Sequence, residues 1–465
     1  MTRRFHVRTY GCQMNEHDSE HLAGMMSAAG LEPTDDAEDA DVILLNTCCI
    51  RENADNRFYG HLGNLKALKE ARPGLQIAVA GCLAQKDRER IVERAGHVDV
   101  VFGTHNLHRA VDLLDEQRSR GETVVEIAEE HGPDAAAIAG ALPARRDLDH
   151  SAWVTIQIGC DNSCTFCIVP LVRGAEVSRR MGDVVREVEE LAAAGVSEVT
   201  LLGQNVNSYG RDLGAGQYRP RFADLLRAID AVDGIKRIRF TSPHPKDLRP
   251  ETIAAMAECD AVCEHLHLPL QSGSDRTLAR MHRGYTAERY LQRLDAARAG
   301  IPDLAVTTDL IVGFPGETDD DFERTLEVVD TAGYDAAYTF VFSPRPGTPA
   351  ARMTDLAVPA EVVRERMNRL TEVVEGHALL RHEARVGRVE AALVDGPSKT
   401  DPTRTSARTG QGKLVHFDAG AAAIPPGSYV RLEVTRAAPH WLEGTLRGID
   451  FTPESRPVRI PVASV

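Results

Sequence analysis

Three cysteines sit just past three buried-strand patterns, and that placement constrains the fold more than any other feature of the chain. Cys12 follows Phe5–Thr9, Cys48 follows Val42–Leu45, and Cys82 follows Gln76–Ala80. The gaps are 36 and 34 residues, about one β-α unit each. Helical patterns over Asn15 to Ala29 and Asn53–Leu68 separate the strands, and Val98–Phe102 adds a fourth. Repeated β-α units predict a doubly wound parallel sheet. The C-terminal ends of its strands share one edge, where ligands bind. The three thiols therefore converge, although they lie far apart in sequence.

With 465 residues, the chain is too long for one ordinary core. Its 43% hydrophobic and 26% charged content is that of a soluble globular protein. No apolar run reaches membrane-spanning length, and Met1-Thr2-Arg3-Arg4-Phe5 lacks a signal-peptide core. A cytoplasmic protein without a membrane partner is expected, and its nine cysteines stay reduced. They read as ligands or core residues, not as a disulfide framework. The net charge of −15 argues against nucleic acid as a partner of the whole surface. From Arg381 onward, however, twelve basic residues outnumber nine acidic ones, so a mildly basic tail follows an acidic body.

The pattern divides the chain into 1–118, a linker over 119–149, a core over 150–382, a small domain over 383–452 and a tail over 453–465. In the core, strands are predicted at Val154–Ile158, Glu198–Leu202, Ile238–Thr241, His265–Leu268, Ala305–Val312 and Tyr338–Phe342. Six such units make a partial (β/α)6 barrel. A long helix over Pro359 to His382 closes it. Short strand-like runs at Val389–Val394, Lys413–Phe417, Tyr429–Val434 and Leu442–Ile449 then predict a small antiparallel β-barrel.

For Cys12, Cys48 and Cys82 two readings stay open: small buried hydrophobes, or ligands of one metal or iron–sulfur cluster. Cys49 is expected to point away from Cys48 and to be structural. A second set, Cys160, Cys164 and Cys167, has C-x3-C-x2-C spacing just past a strand. Structural zinc requires four ligands, and no fourth Cys or His lies at a suitable distance. Three thiolates on one loop suit a four-iron cluster with one iron left open.

That loop, with Phe166 before its last cysteine, resembles the signature of radical S-adenosylmethionine (SAM) enzymes. Further stretches resemble the methylthiotransferase family within that group. They are Tyr10-Gly11-Cys12-Gln13-Met14-Asn15, Asn46-Thr47-Cys48, Ala80-Gly81-Cys82, Leu202-Gly203-Gln204-Asn205, His267–Ser274 and Gly313–Thr318. The segment Arg388 to Phe451 resembles the family's RNA-binding TRAM barrel. The resemblance implies two [4Fe-4S] clusters, held by Cys12, Cys48 and Cys82 and by Cys160, Cys164 and Cys167. It implies SAM on the open iron of the second, and leaves the catalytic side chains beyond the cluster ligands unassigned. It places SAM near Phe166, Gln204, Asn205, Asp309, Ile311 and Gly313. It also implies a tRNA partner bound at the anticodon stem-loop, an electron donor such as flavodoxin or ferredoxin, and a monomer.

The run Cys48-Cys49-Ile50-Arg51-Glu52-Asn53-Ala54 resembles the branch acting on carbon 2 of isopentenyladenosine at tRNA position 37. The alternatives are the branches for threonylcarbamoyl-adenosine in tRNA and for a ribosomal-protein aspartate. A rival of another class is a non-catalytic RNA-binding iron–sulfur sensor. Cys49, Ala175 and Ala407 depart from the branch's usual residues. Cys259 and Cys263 read as core, and most of the seventeen histidines as surface or satisfied core residues. His265 and His267 are candidates for the barrel mouth. Arg385, Arg388, Lys399, Arg404, Arg408 and Lys413 form either an RNA track or a solvated face.

Overall fold

Val42–Thr47 and Gln76–Gly81 are apolar on both faces, and every residue of each is buried. Two separate clusters cover the faces. Val42 and Leu44 pack with Phe5, Leu22, Met26 and Phe102, whereas Ile43 and Leu45 pack with Phe58, Leu62, Ile77 and Val79. This period-two division, with helices on both sides, is what a parallel sheet demands. The computed structural model describes residues 2–49, 52–129, 138, 140–146, 148–214, 220–420 and 424–453, with side chains of 52–56 left aside. Ile50 and Arg51 of the branch motif, much of the linker and the tail beyond 453 lie outside the described residues.

The N-terminal sheet contains β1 (Arg4–Tyr10), β2 (Glu32–Pro33), β3 (Val42–Thr47), β4 (Gln76–Gly81), β5 (Val100–Phe102) and β6 (Val124–Glu126). Their order is β2-β1-β3-β4-β5-β6, all pairs parallel. The chain reverses its direction of winding beside β1, so the topological switch lies between β1 and β3. Two strands escape the sequence pattern. β2 has two residues, and β6 has three half-buried ones in the stretch read as linker. Each is short and lies at an edge, where period-two alternation has too few residues to register.

The second unit has β7 (Ser151–Thr155), β8 (Gln157–Ile158), β9 (Val177–Ser178), β10 (Glu198–Leu202), β11 (Arg237–Phe240), β12 (His265–His267), β13 (Ala305–Val312) and β14 (Ala336–Val341). Parallel trios β7-β10-β11 and β12-β13-β14 join through the bridge Ile238–Val262. The result is the partial six-stranded barrel predicted from the sequence. One predicted strand is divided: β7 stops at Thr155, and β8 pairs antiparallel with β9 in a separate ribbon. That ribbon carries the second cysteine loop.

The last unit is a closed barrel of β15 (Val389–Pro397), β16 (Thr405–Thr409), β17 (Leu414–Phe417), β18 (Tyr429–Ala438) and β19 (Trp441–Phe451). The sequence pattern passes over β16, whose Thr-Ser-Ala-Arg-Thr lacks apolar alternation. Four of its pairs are antiparallel, and β17–β19 is parallel. A closed ring of five strands cannot alternate direction throughout, so one parallel pair is obligatory. The barrel is held against the N-terminal ends of the core strands. Arg237 donates to the carbonyls of Arg408 and Ala391, and Arg239 to those of Thr409 and Gly410, at 2.7–3.0 Å. The cysteine loop lies past the opposite, C-terminal strand ends.

Gly81 shows how tightly the first thiol edge is built. Its φ is +94°, and an added Cβ would lie 2.5 Å from the Thr47 carbonyl oxygen. Gly81→Ala should therefore destabilise the N-terminal unit by about 1–3 kcal/mol, seen as a lower urea midpoint.

Two thiol sites and a polar barrel mouth

The register Tyr10–Thr47–Gly81 runs straight across β1, β3 and β4 at their C-terminal ends. Cys48 and Cys82 are the first residues past β3 and β4, and Cys12 lies two past β1, where it caps helix α1 (Gln13–Ala28). A buried amide pair braces this edge. Asn46 Nδ2 donates to the Asn15 carbonyl at 2.7 Å and Asn15 Nδ2 to the Thr47 carbonyl at 3.3 Å. The Cys48 thiol donates to Cys12, which lowers the Cys12 pKa to about 6 with help from Arg173.

Cys49 diverges from Cys48 but does not leave the site. Its thiol donates to Cys82, lowering the Cys82 pKa to about 7, while its own is raised by that bond and by burial. The crevice therefore holds four thiols where the sequence suggested three. Arg173, which ends helix α2 (Val169–Arg173), pairs with Asp18 of α1 at 2.5 Å and faces Cys12 and Cys82.

The second set hangs from the β8/β9 ribbon. Gly159 has φ +75°, and Cys160 N donates to the Gly174 carbonyl at 3.1 Å. Thr165 anchors the loop, donating from N to the Met281 carbonyl at 3.1 Å and from Oγ1 to the Arg280 carbonyl at 3.0 Å. Burial raises the Cys160 thiol and pushes Cys167 up to about 12. Cys164 Sγ accepts a hydrogen bond of 3.3 Å from Arg283 Nη1. The Arg283 guanidinium is buried, and among the described residues no carboxylate pairs with it. A buried cation without an anion is costly, so the site suits an anionic group such as a thiolate-bound cluster. Among the described residues, no three His, Cys, Asp or Glu side chains close on a single ion.

Beside this loop the barrel mouth is polar and unsatisfied. Both amide atoms of Gln204, Asn205 Oδ1, Gln157 Oε1 and His244 Nε2 are buried without a partner. Asn205 Nδ2 donates to Asp247 at 2.9 Å, and Gln157 Nε2 to Ser208 at 3.2 Å, so these groups share one neighbourhood. Such a set fits a zwitterionic ligand. Glu176, which the sequence reading passed over as a site residue, lies here too, accepting from Ser208 Oγ at 2.8 Å. Burial raises its pKa to about 7.

The other expected SAM positions differ in character. Phe166 packs edge-on against Phe314 at 6.5 Å between ring centres. On β13, the Asp309 carbonyl and the Ile311 N–H are both engaged by Gln271, at 2.8 and 2.9 Å. Asp309 lies 3.5 Å from His267. Gly313, with φ +76°, donates to Glu317 at 2.8 Å and lines an apolar cavity of about 650 Å³ with Phe342 and Val363. His265 and His267 share Thr307 Oγ1 at 3.2 and 3.0 Å, on the β13 face that also carries Asp309.

Two of the basic residues read as an RNA track serve the fold instead. Lys413 is buried against Asp335 at 2.7 Å, and Arg385 against Glu390 at 2.8 Å. Exposed cations remain at Arg388, Lys399, Arg408, Arg431 and Arg447, the four arginines in surface ion pairs with Asp303, Asp395, Asp450 and Glu433.

Three strand-end thiols and a thiol loop at the mouth of a partial barrel define a radical SAM protein. A model of the Radical SAM superfamily matches residues 154–329, and one described as Uncharacterized protein family UPF0004 matches 4–103. The solved radical S-adenosylmethionine methyltransferase TsrM from Kitasatospora setae shares the fold, with a TM-score of 0.54 and 15% identity over 76% of this chain and 74% of that one. A tRNA-2-methylthio-N(6)-dimethylallyladenosine synthase of Parafrankia sp. is 53% identical over 448 residues, covering 95% of this chain and 89% of the relative. The synthase of that name from Streptomyces coelicolor is 52% identical over 446 residues, covering 95% and 87%. The chain belongs to this family of tRNA-2-methylthio-N(6)-dimethylallyladenosine synthases.

Histidines 17 and 21 are not simple core residues. They stand one turn apart on α1 with Nε2 atoms 3.0 Å apart, and both line a cavity of about 270 Å³ where the first unit meets the core. Their spacing on one helix face is visible in the sequence. Burial lowers their pKa values to about 4 and about 3. Unfolded histidine binds a proton near pH 6.5, and the folded pair does not until well below that. Their contribution is full above pH 6.5 and lost as pH falls towards 4. The urea midpoint should drop between pH 7.5 and 5.5, and His17→Gln/His21→Gln should flatten that dependence.

Proposed function

We infer that the chain is a tRNA methylthiotransferase acting on carbon 2 of N6-isopentenyladenosine at position 37, beside the anticodon. The observation that carries this reading is the pair of thiol sites, one at the switch point of the first sheet and one at the barrel mouth, in a chain aligned with synthases of that name over 95% of its length. The C2–H bond of adenine is not acidic at neutral pH, so no side-chain base removes its hydrogen. When bound, a four-iron cluster with SAM supplies the carbon-centred radical chemistry that does.

The chain's own residues hold and shape that chemistry. Cys160, Cys164 and Cys167 are three ligands for four irons, which leaves one iron for SAM. Gln157, Gln204, Asn205 and His244 offer unpaired groups to the polar end of SAM. Phe166, Asp309, Ile311 and Gly313 would wall the remainder. Cys12, Cys48 and Cys82 would hold the second cluster, with Cys49 hydrogen-bonded to Cys82 from outside the ligand set. Lys399, Arg408 and Arg431 present exposed charge to the anticodon stem-loop. An electron donor of the flavodoxin or ferredoxin type, a monomeric state and a cytoplasmic place complete the proposal. No helix among the described residues is long and apolar enough to cross a membrane.

The test is anaerobic reconstitution followed by iron counting, assay of 5′-deoxyadenosine and nucleoside analysis of tRNA. Replacing Cys160, Cys164 and Cys167 by Ala should abolish SAM cleavage and leave one cluster's iron. Replacing Cys12, Cys48 and Cys82 should keep SAM cleavage and lose the methylthio mark. Full iron in either triple variant would show the ligands to be wrong, and a mark on threonylcarbamoyl-adenosine or a ribosomal protein would move the substrate. Lys399→Gln/Arg408→Gln/Arg431→Gln should weaken tRNA binding and flatten its salt dependence.

A further inference from the structure

The electrostatics of Arg283 extend beyond holding a loop. Arg283 is 6% exposed, far from the usual place of an arginine. Its contacts are Cys164 Sγ at 3.3 Å, Tyr285 Oη at 3.2 Å and the Pro269 carbonyl at 3.4 Å. The two oxygens are neutral, so the thiol sulfur is the one partner able to carry negative charge. Tyr285 holds the fork in place, since its own hydroxyl lies 3.0 and 2.9 Å from the carbonyls of Pro269 and Leu270. A rigid cation is thus aimed at one chosen sulfur, whereas the hydrogen bonds to Cys160 and Cys167 come from the neutral groups of Asn162 and the Val169 N–H.

We propose that Arg283 is a positioning residue that raises the reduction potential of the cluster held by Cys160, Cys164 and Cys167, through its Nη1–H···Sγ bond to Cys164. The inference rests on the assignment of those three cysteines as cluster ligands. Reduction adds one electron from an external donor, and no covalent bond forms or breaks. A hydrogen bond to a ligand sulfur, and a positive charge behind it, stabilise the more negative reduced form. In this buried setting solvent screens the effect little. The bond therefore brings the cluster within reach of a protein electron donor.

The experiment uses the full chain carrying Cys12→Ala, Cys48→Ala and Cys82→Ala, so that a single cluster reports. Reconstituted parent, Arg283→Lys and Arg283→Met are titrated with dithionite and followed by electron paramagnetic resonance. Arg283→Met should load iron like the parent but reduce at a lower potential, and Arg283→Lys should recover part of the shift. An unchanged midpoint in loaded Arg283→Met overturns the proposal. Protein labelled with 15N in arginine alone supplies a second measurement that needs no variant. A 15N coupling to the reduced cluster supports the bond, and its absence overturns the proposal even if Arg283→Met fails to load. A parent that takes up no cluster at all instead refutes the ligand assignment, and the proposal falls with it.

Discussion

The ion pair between Arg173 and Asp18 sets the relation between the two chemical sites. It joins the helix that follows the Cys160–Cys167 loop to the helix that follows Cys12, at 2.5 Å, with both side chains at least nine-tenths buried. Removing one partner of such a pair costs about 3–5 kcal/mol, because a charge is left buried alone. Ile168 and Val172 of the same segment sit inside the apolar cluster of the first sheet with Cys49 and Cys82. One short helix of the second unit thus packs into the core of the first. The thiol sites cannot drift apart without breaking a charge pair and opening an apolar cluster together.

The two ends of the core barrel treat buried polarity in opposite ways. At the N-terminal strand ends, Arg237 and Arg239 spend their donors on carbonyls of the C-terminal barrel, and Lys413 is neutralised by Asp335. At the C-terminal ends, five amide or imidazole atoms lack a partner, and the Arg283 guanidinium, bonded to a thiol, a phenol and a carbonyl, lacks a carboxylate among the described residues. Buried polar groups are costly unless satisfied, so the first end is built to be complete and the second to be completed by a ligand. The histidine pair on α1, hydrogen-bonded at 3.0 Å, is held by burial in its uncharged form at neutral pH.

Much of this was legible in the chain itself. Cysteines one β-α unit apart fix which strand ends carry thiols, because parallel strands place all their C-termini on one edge. The loop spacing of Cys160, Cys164 and Cys167 is local, and a local ligand set needs no fold to be read. The six core strands announce themselves by apolar runs. The edge strands β2 and β6 and the polar β16 do not, for their residues gain strand conformation from neighbours and not from pattern. Periodicity likewise shows that His17 and His21 share a helix face, yet not that the face is covered.

Tertiary structure alone decided the pairings. Nothing in the order of residues says that Cys49 meets Cys82, that Arg173 meets Asp18 across 155 positions, or that Arg283 meets Cys164 across 119. Nor does it say that Lys413 and Arg385 serve the fold while Arg408 and Arg431 face solvent. Residue type and spacing determine which chemistry a chain is able to hold, since those depend on local geometry and strand direction. Which sulfur receives a positive charge, and which cation reaches the surface, depends on burial. Burial belongs to the packed whole, because water is excluded by neighbours that are distant in sequence.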